Sequence, residues 1–570
     1  MTIVTPDETS NYSVLDGARQ AIDQALRLAG DQIPQEIRSQ VAQLSFSSAN
    51  ANSKVYLPCP FKETEAAVAL KSLEACAAAA IADLRYQVKP RRITVDAELA
   101  TVFLFSAYVS TLNGLGKADP EVKVLLKDTD LLKAQSILYR RLSANLYETR
   151  NPGEFFHLHG SLEATTALNM VGLEGHRPDM TDYHECIKLI EKHVKQFSAG
   201  ELEKMNAERR QAGVTCLTWE QFQETNHGQA LIREPPWRVD DLETSSPPAP
   251  FPNATHPSSK PEILAGIKVL ELCRIIAGPA IGRTLAEYGA DVMKITSPNL
   301  SDVPFFQVDG NIGKHTTDLN LKDPADRKVF EGLLQETDVI LDGYRPGALE
   351  RLGYGPQQII ELTKHRGKGI VYVAEDCFGH VGEWAGRPGW QQIADCVTGV
   401  AWAQGKFMGL NEPVVPPFPM SDYGTGCMGA IAALTGLFRR AKYGGSYYGK
   451  VSLSQYDIYL LQLGLYPPSI QEQQRSEHDA SFFGLRHNDS VDEVGKRALN
   501  SMKRAHPELF GEKVFHECYS RGFDARLKYV RSPVSIEGFD VGFSRSSRPN
   551  GFDGPSWDGW ENDADVAGAV

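Results

Sequence analysis

One short stretch carries residues able to do chemistry: Pro419-Met-Ser-Asp-Tyr-Gly-Thr-Gly426. It sets a carboxylate, Asp422, just ahead of Gly424 and Gly426, and a small-residue run from Cys427 then reads as a helix. Glycine lets backbone and ligand approach closely. A helix start presents unpaired N–H groups and favours negative charge. A carboxylate held there is positioned and ionised, as a nucleophile must be. The same residues also fit an Asp N-cap in a glycine-rich turn. A second constellation is Asp342-Gly-Tyr-Arg-Pro-Gly-Ala-Leu-Glu-Arg-Leu-Gly353. Arg345 and Arg351, around a Pro-Gly turn, have the forked chemistry that clamps phosphates. The alternative is that they pair with Asp342 or Glu350 at the surface.

Other candidates carry less. Gly444-Gly-Ser-Tyr-Tyr-Gly-Lys450 has phosphate-loop spacing, but Val451 stands where a Mg²⁺-binding Ser or Thr is required, and a strand follows. His157 and His159 alternate onto one strand face. With no third ligand in the sequence they read as a structural or solvent-facing pair, and no metal is expected. There is no Gly-x-Ser-x-Gly elbow.

The frame that must hold Asp422 and Arg345 is α/β. Residues 267–272, 289–295, 338–341 and 369–374 read as apolar strands. Helices fall between them: 280–288, and one running to Glu336 with Asp323 as N-cap and Pro324 at its first position. This alternation predicts parallel βαβ units in a doubly wound, Rossmann-like sheet. The Asp342 constellation then starts at a strand's carboxyl end, where open sheets bind ligands. The first strand-to-helix turn, Ala277-Gly-Pro-Ala-Ile-Gly282, lacks the dinucleotide fingerprint, so NAD and FAD are not expected.

Residues 234–261 are proline-rich and read as an extended linker. An internal echo spans it. A small-residue helix, a basic turn and a strand occur at 69–96 and again at 429–454, which points to a partly duplicated chain. The polar stretch from Phe543 reads as a loose tail.

The 570 residues are 42% hydrophobic and 23% charged, which excludes a disordered chain. Net charge is -13, which disfavours nucleic acid as a partner. No apolar run reaches membrane-spanning length, and the acidic start resembles neither a secretory signal nor a transit peptide. Nine cysteines without a Cys-x-x-Cys pair fit a reducing, cytoplasmic setting. Cys273, Cys396 and Cys427 lie in apolar runs and read as buried thiols.

Taken together, the motifs resemble CoA-transferase family III, the CaiB/BaiF group that includes carnitine CoA-transferases, formyl-CoA:oxalate transferases and α-methylacyl-CoA racemases. The resemblance runs from Val269-Leu-Glu-Leu272 and Ala277-Gly-Pro279 through Gly289-Ala-Asp-Val-Met-Lys-Ile295, Thr317-Asp-Leu-Asn-Leu-Lys322 and Tyr344–Gly353. It ends on Gly386-Arg-Pro-Gly389, Ser421–Gly426 and Gly449-Lys-Val-Ser-Leu453. On either side of the linker read from composition over 234–261, it implies a degenerate partial copy over 1–125, a smaller α+β domain, small-domain-like, over 126–233, the CoA-binding and catalytic domain over 262–470, and an extension and loosely ordered tail over 471–570.

The resemblance implies that Asp422 is a covalent nucleophile exchanging coenzyme A between an acyl-CoA and a carboxylic acid. Ile275, Ile276, Ala277, Leu319, Tyr344, Arg345, Arg351, Leu352 and Trp390 would line the CoA channel, and N–H groups near Gly424 and Gly426 would meet the oxyanions. Coenzyme A is then a substrate, with no permanently bound cofactor. Known relatives form interlocked dimers, so the resemblance leaves both a homodimer and an internal mimic of one open for this chain. Three departures stand out: Ile276 where formyl-CoA transferases carry Gln, Ser297 where an Arg often touches CoA, and Gly389-Trp390-Gln391 where racemases carry Gly-His-Asp. The last weakens the alternative of a racemase, which needs a base on each face of Cα; an inactive CoA-binding homologue is a further alternative. The first copy has Glu63 and Glu65 near the nucleophile's place, without glycines. Deleting residues 1–233 is expected to abolish activity.

Overall fold

A computed structural model describes residues 12–49, 54–87, 91–252, 260–560 and 565–566. The strands expected between the linker and residue 376 form, and they join a seven-stranded sheet. Its order is Lys314–Asp318, Asp291–Thr296, Lys268–Leu272, Val339–Asp342, Val371–Asp376, Ser446–Ser452 and Arg238–Glu243. The first six are parallel. Val339 sits opposite both Val269 and Val371, and the buried apolar runs of these strands fit a sheet covered on both faces. The chain crosses from one side of the sheet to the other between Lys268–Leu272 and Val339–Asp342. This switch point is where a doubly wound sheet opens a crevice.

The seventh strand corrects one expectation. Arg238–Glu243 lies inside the proposed linker, yet it pairs antiparallel with Ser446–Ser452. Arg439 fastens it by donating to the Val239 carbonyl at 2.8 Å and to the Asp31 and Gln32 carbonyls. Alternation of Val239 inward and polar residues outward lets this edge form despite the prolines around it. The rest of the linker includes residues 253–259, which lie outside the described residues.

Two 24-residue helices fill the centre: the alanine-rich Glu63–Tyr86 and the glycine-rich Met420–Tyr443. They pack on one another, and Met420–Tyr443 also packs on Ala277–Glu287. Small residues permit the approach. A Cβ on Gly426 would stand 2.5 Å from the Ala280 Cβ, and one on Gly429 would stand 2.3 Å from the Ile281 Cδ1. Buried charges tie the halves together. Lys71 pairs with Glu74 at 3.2 Å and lies 3.7 Å from Glu287, while the Tyr288 hydroxyl donates to Glu74 at 3.0 Å.

Residues 144–215 build a separate small sheet, with Ala144–Glu148 and Phe155–His159 antiparallel and Val214–Thr215 beside them. Helices Tyr183–Val194 and Ala199–Arg209 cover it around a core of Tyr147, Phe156, Leu158, Ile190 and Leu202. Among the described residues no helix is long and apolar enough to cross a membrane.

The C-terminal stretch differs from the loose tail expected of its composition. Ser546, Ser547, Arg548 and Asn550 are buried. They run along the edge strand Lys314–Asp318. Thr316 Oγ1 donates to the Pro549 carbonyl at 2.6 Å, and the Asp553 N–H donates to the Thr316 carbonyl at 2.7 Å. Trp557 donates to the Leu333 carbonyl at 3.0 Å. A polar segment is ordered here because it satisfies and covers an open sheet edge.

Candidate active site

Asp422 lies in the first turn of helix Met420–Tyr443. The helix therefore starts seven residues before the Cys427 start read from the sequence, and Gly424 and Gly426 lie within it. They serve helix packing: a Cβ on Gly424 would stand 1.9 Å from the Tyr456 ring. The helix start is held by its neighbours. The Tyr423 hydroxyl donates to Asp309 at 2.9 Å and accepts from the Ala107 N–H at 3.0 Å. Ser421 Oγ donates to Asp395 at 3.2 Å.

Asp422 is 8% exposed and makes no hydrogen bond among the described residues. Burial pushes its carboxyl up to about 8, and no cation opposes the shift. What exposure it has opens onto two clefts. The first lies at the sheet's switch point and is lined by Arg274, Ile275, Ile276, Ala277, Tyr344 and Arg345, with Trp390 at its far wall. Ile275 has φ +70°, an uncommon conformation for a β-branched residue and a sign of strain at a functional loop. It leads into helix Ala277–Glu287, which has no side-chain cap and whose first residue, Ala277, lines this cleft. Arg274 donates to the Ser301 carbonyl and Arg387 pairs with Glu203, whereas Arg345 takes no partner among the described residues.

Glu375 also lines the first cleft and makes no hydrogen bond or ion pair among the described residues. Burial, with the charges of Asp422, Asp376 and Asp342, raises its pKa well above the ordinary range. Nothing in the sequence around it marks this carboxyl, because Val371–Asp376 reads only as a strand.

The second cleft faces the other side of Asp422. Residues before the linker supply one wall, with Tyr108, Gln135, Arg141, His159 and Ser161. Residues after it supply the other, with Ile276, Phe306, Trp390, Pro417 and Phe418. His159 stacks on Trp390, with centroids 5.7 Å apart and planes 5° apart, and the indole donates to Ser161 Oγ at 2.9 Å. Burial keeps His157 and His159 neutral, with His157 down to about 3. Of this pair, which reads from the sequence as structural or solvent-facing, His159 lines the cleft.

A third, more apolar cleft lies beside the first, lined by Leu319, Leu321, Tyr344, Leu349 and Leu352, with Ser297 at its rim. The structure thus brings Ile275, Ile276, Ala277, Tyr344, Arg345 and Trp390 together with Asp422, and places Leu319 and Leu352 next door. Arg351 stands apart: it is exposed and donates to the Pro346 carbonyl of its own loop at 3.4 Å. Asp342 pairs with neither arginine. It accepts from the Tyr372 hydroxyl at 2.7 Å and the Tyr344 N–H at 3.1 Å.

The sequence profile of CoA-transferase family III matches residues 264–485. The acetyl-coenzyme A transferase nodX of Hypoxylon pulicicidum is 34% identical over 529 residues, covering 90% of this chain and 88% of that protein. The chain belongs to CoA-transferase family III. An acyl-CoA transferase of Gibberella moniliformis is 35% identical over 413 residues, 70% of this chain and 72% of that protein. The crystal structure of a CaiB/BaiF family protein from Brucella suis aligns over 50% of this chain and 96% of that one, at 19% identity and a TM-score of 0.37.

Residues before the linker thus line one of the two clefts that reach Asp422. Tyr108, Arg141 and His159 were missed by sequence reasoning, since no motif links them to a carboxylate some 300 residues onward. The one available signal was the His157-Leu-His159 alternation, which placed both imidazoles on one face; their rings lie 5.4 Å apart.

Proposed function

We propose that this CoA-transferase moves coenzyme A from an acyl-CoA thioester to a carboxylic acid through a covalent intermediate on Asp422. The observation that carries the reading is the position of Asp422, whose carboxyl has no partner among the described residues, between two clefts of different character. The Asp422 carboxylate attacks the thioester carbonyl, forming a mixed anhydride and releasing CoA thiolate. The thiolate attacks the aspartyl carbonyl, freeing the first acid and leaving an aspartyl-CoA thioester. The acceptor carboxylate attacks that thioester to give a second anhydride and thiolate. Thiolate attack on the acceptor's carbonyl then forms the new acyl-CoA and restores Asp422. No proton is consumed at any step, so the site needs desolvation and oxyanion donors more than a general base.

The residues suit these roles. Burial leaves Asp422 poorly solvated and reactive once ionised. The helix start at Ala277, on the wall of the first cleft, would offer its unpaired N–H groups to an oxyanion. Arg345 is the unpartnered cation on the first cleft, suited to the CoA phosphates. The leucine-lined cleft with Tyr344 suits the adenine ring. Coenzyme A enters and leaves as a substrate. The first segment, read as a partial second copy of the unit, completes the acid-side cleft instead of forming a second centre.

Incubation with acyl-CoA followed by hydroxylamine tests the reading. A hydroxamate on the tryptic peptide carrying Asp422, absent in Asp422→Ala, is expected. Failure to trap any adduct across short, long and branched acyl-CoA donors would sink it. Deuterium wash-in at Cα without CoA exchange would instead establish racemisation.

A further inference from the structure

Besides Asp422, Glu375 is the one carboxyl lining the first cleft that has no partner among the described residues. The steps above do not use it. It stands half-buried at the carboxyl end of strand Val371–Asp376, with the ends of Val339–Asp342 and Lys268–Leu272 beside it in the sheet. A Cβ on Gly343 would stand 3.2 Å from Glu375 Oε2, and one on Gly278 would stand 3.8 Å away. Glycine backbone therefore faces this oxygen, and a narrow group can reach it.

The other polar groups of this region are spent or remote. The Cys377 thiol donates to the Trp390 carbonyl at 3.5 Å, and the Cys273 thiol donates to the Leu341 carbonyl at 3.6 Å. Asp376 accepts from the Gly379 N–H at 2.7 Å. Arg274 holds the Ser301 carbonyl, Arg387 holds Glu203, and Arg345 is exposed.

The two clefts decide which part of the reaction Glu375 meets. Asp422 lines both, whereas Glu375 lines the first alone. It touches the coenzyme A side of the reacting centre and not an acid entering from the second cleft. A second nucleophile is therefore a poor role for it, because an acyl group placed there would face away from its acceptor. Its charge state suits a donor: burial, with the charges of Asp422, Asp376 and Asp342, keeps its proton on. The group on this side that most needs a donor is sulfur, which carries the negative charge whenever the thioester is open.

We propose that the Glu375 carboxyl is a catalytic hydrogen-bond donor to the coenzyme A sulfur each time the thiolate is free. As an Asp422 oxygen bonds to the acyl carbon, the C–S bond breaks and its electron pair stays on sulfur. The Glu375 O–H then points at that sulfur, and the proton remains on Glu375. One negative charge occupies the centre throughout, first on Asp422, then on sulfur, then on the departing acid. The thiolate stays beside the anhydride that it attacks next. The inference rests on the reading of Asp422 as the acyl-carrying residue.

The test compares two donors on the full-length protein: an acyl-CoA thioester and the selenoester of the same acyl group on seleno-coenzyme A. A selenolate is less basic than a thiolate and needs a hydrogen-bond donor less. Glu375→Met, close in size and without a donor, is expected to lower donor kcat/KM about 10- to 100-fold with the thioester, the scale of a hydrogen bond to a charged group, and clearly less with the selenoester. Glu375→Gln keeps an N–H donor and should retain most of the thioester rate. A thermal melt confirms folding, and Glu375→Ala takes the place of the Met variant if that one does not fold. Equal losses on the two donors, no loss on either, or a Gln variant as slow as the Met variant overturns the proposal. A purely structural role for Glu375 would lower both donors alike. Hydroxylamine trapping separates this inference from the reading beneath it. An adduct at Asp422 in wild type beside equal losses sinks only the sulfur donor, and no adduct in wild type sinks both.

Discussion

Asp422 and Glu65 are each the third residue of a buried 24-residue helix, and each helix follows a residue at φ −78° and ψ 55°. Their surroundings then diverge. Asp422 has no hydrogen-bonding partner among the described residues and opens on two clefts. Glu65 is sealed: Tyr12 donates to one carboxylate oxygen at 2.6 Å and Tyr466 to the other at 2.7 Å. A Cβ on Gly17 would lie 2.8 Å from the Glu65 Cγ, so backbone closes the remaining side. Burial raises both carboxyls, so desolvation does not distinguish them. Access and free lone pairs do. A buried carboxyl becomes a nucleophile where the fold leaves it unsatisfied and reachable, and a structural element where two phenols satisfy it.

The sharpest way to break this comparison is to exchange the chemistry of the two positions. Asp422→Asn is expected to lower CoA exchange at least about 10³-fold, the scale of removing a covalent nucleophile. Glu65→Gln should stay within a few-fold of wild type in turnover, since an amide can still meet both phenols. Comparable losses in isotope exchange between labelled CoA and thioester would mean that both carboxyls are catalytic. The pH profile gives a smaller effect. The attacking form is the carboxylate, so with a carboxyl raised to about 8 the donor kcat/KM should fall about tenfold per pH unit below pH 8. The folded value lies above the ordinary unfolded value near 4. Asp422 therefore contributes its stability fully below about pH 4 and loses it as pH rises to about 8. Asp422→Asn should flatten that part of the melting-temperature profile, and a flat wild-type rate profile from pH 6 to 8 would refute the desolvated nucleophile.

How much of this contrast was readable beforehand follows from where each feature lives. Strand ends and Asp422 are local: Val339–Asp342 announces itself by its apolar run, and the Asp-x-Gly-x-Gly string by its composition. The glycines were legible as unusual but not in purpose, because their need for space comes from Tyr456 and Ala280, which approach only in the folded chain. The second cleft was not legible, since Tyr108, Arg141 and His159 meet Asp422 and Trp390 around one space only in the folded chain. The tail misled for the opposite reason. Its Ser, Arg and Asn content suits solvent, yet Ser546 donates to Asp565, Asn550 donates to Asp302, and the Pro549 carbonyl accepts from Thr316 on the edge strand.

The smallest effect probes the seal itself. Tyr466 is 3% exposed and spends its hydroxyl on Glu65. Tyr466→Phe keeps the ring that packs edge-on against Tyr12 at 5.5 Å and removes only the donor. One oxygen of a buried carboxyl then loses its partner, which costs about 1–2 kcal/mol of unfolding free energy in urea titration, with CoA exchange unchanged. If stability holds and exchange falls, the phenols act on catalysis through the paired helices, and the division between a sealed carboxyl and an open one fails. If stability falls alone, the difference between the two helices is one of solvation: the same buried acid, held by two hydroxyls in one place and left to the substrate in the other.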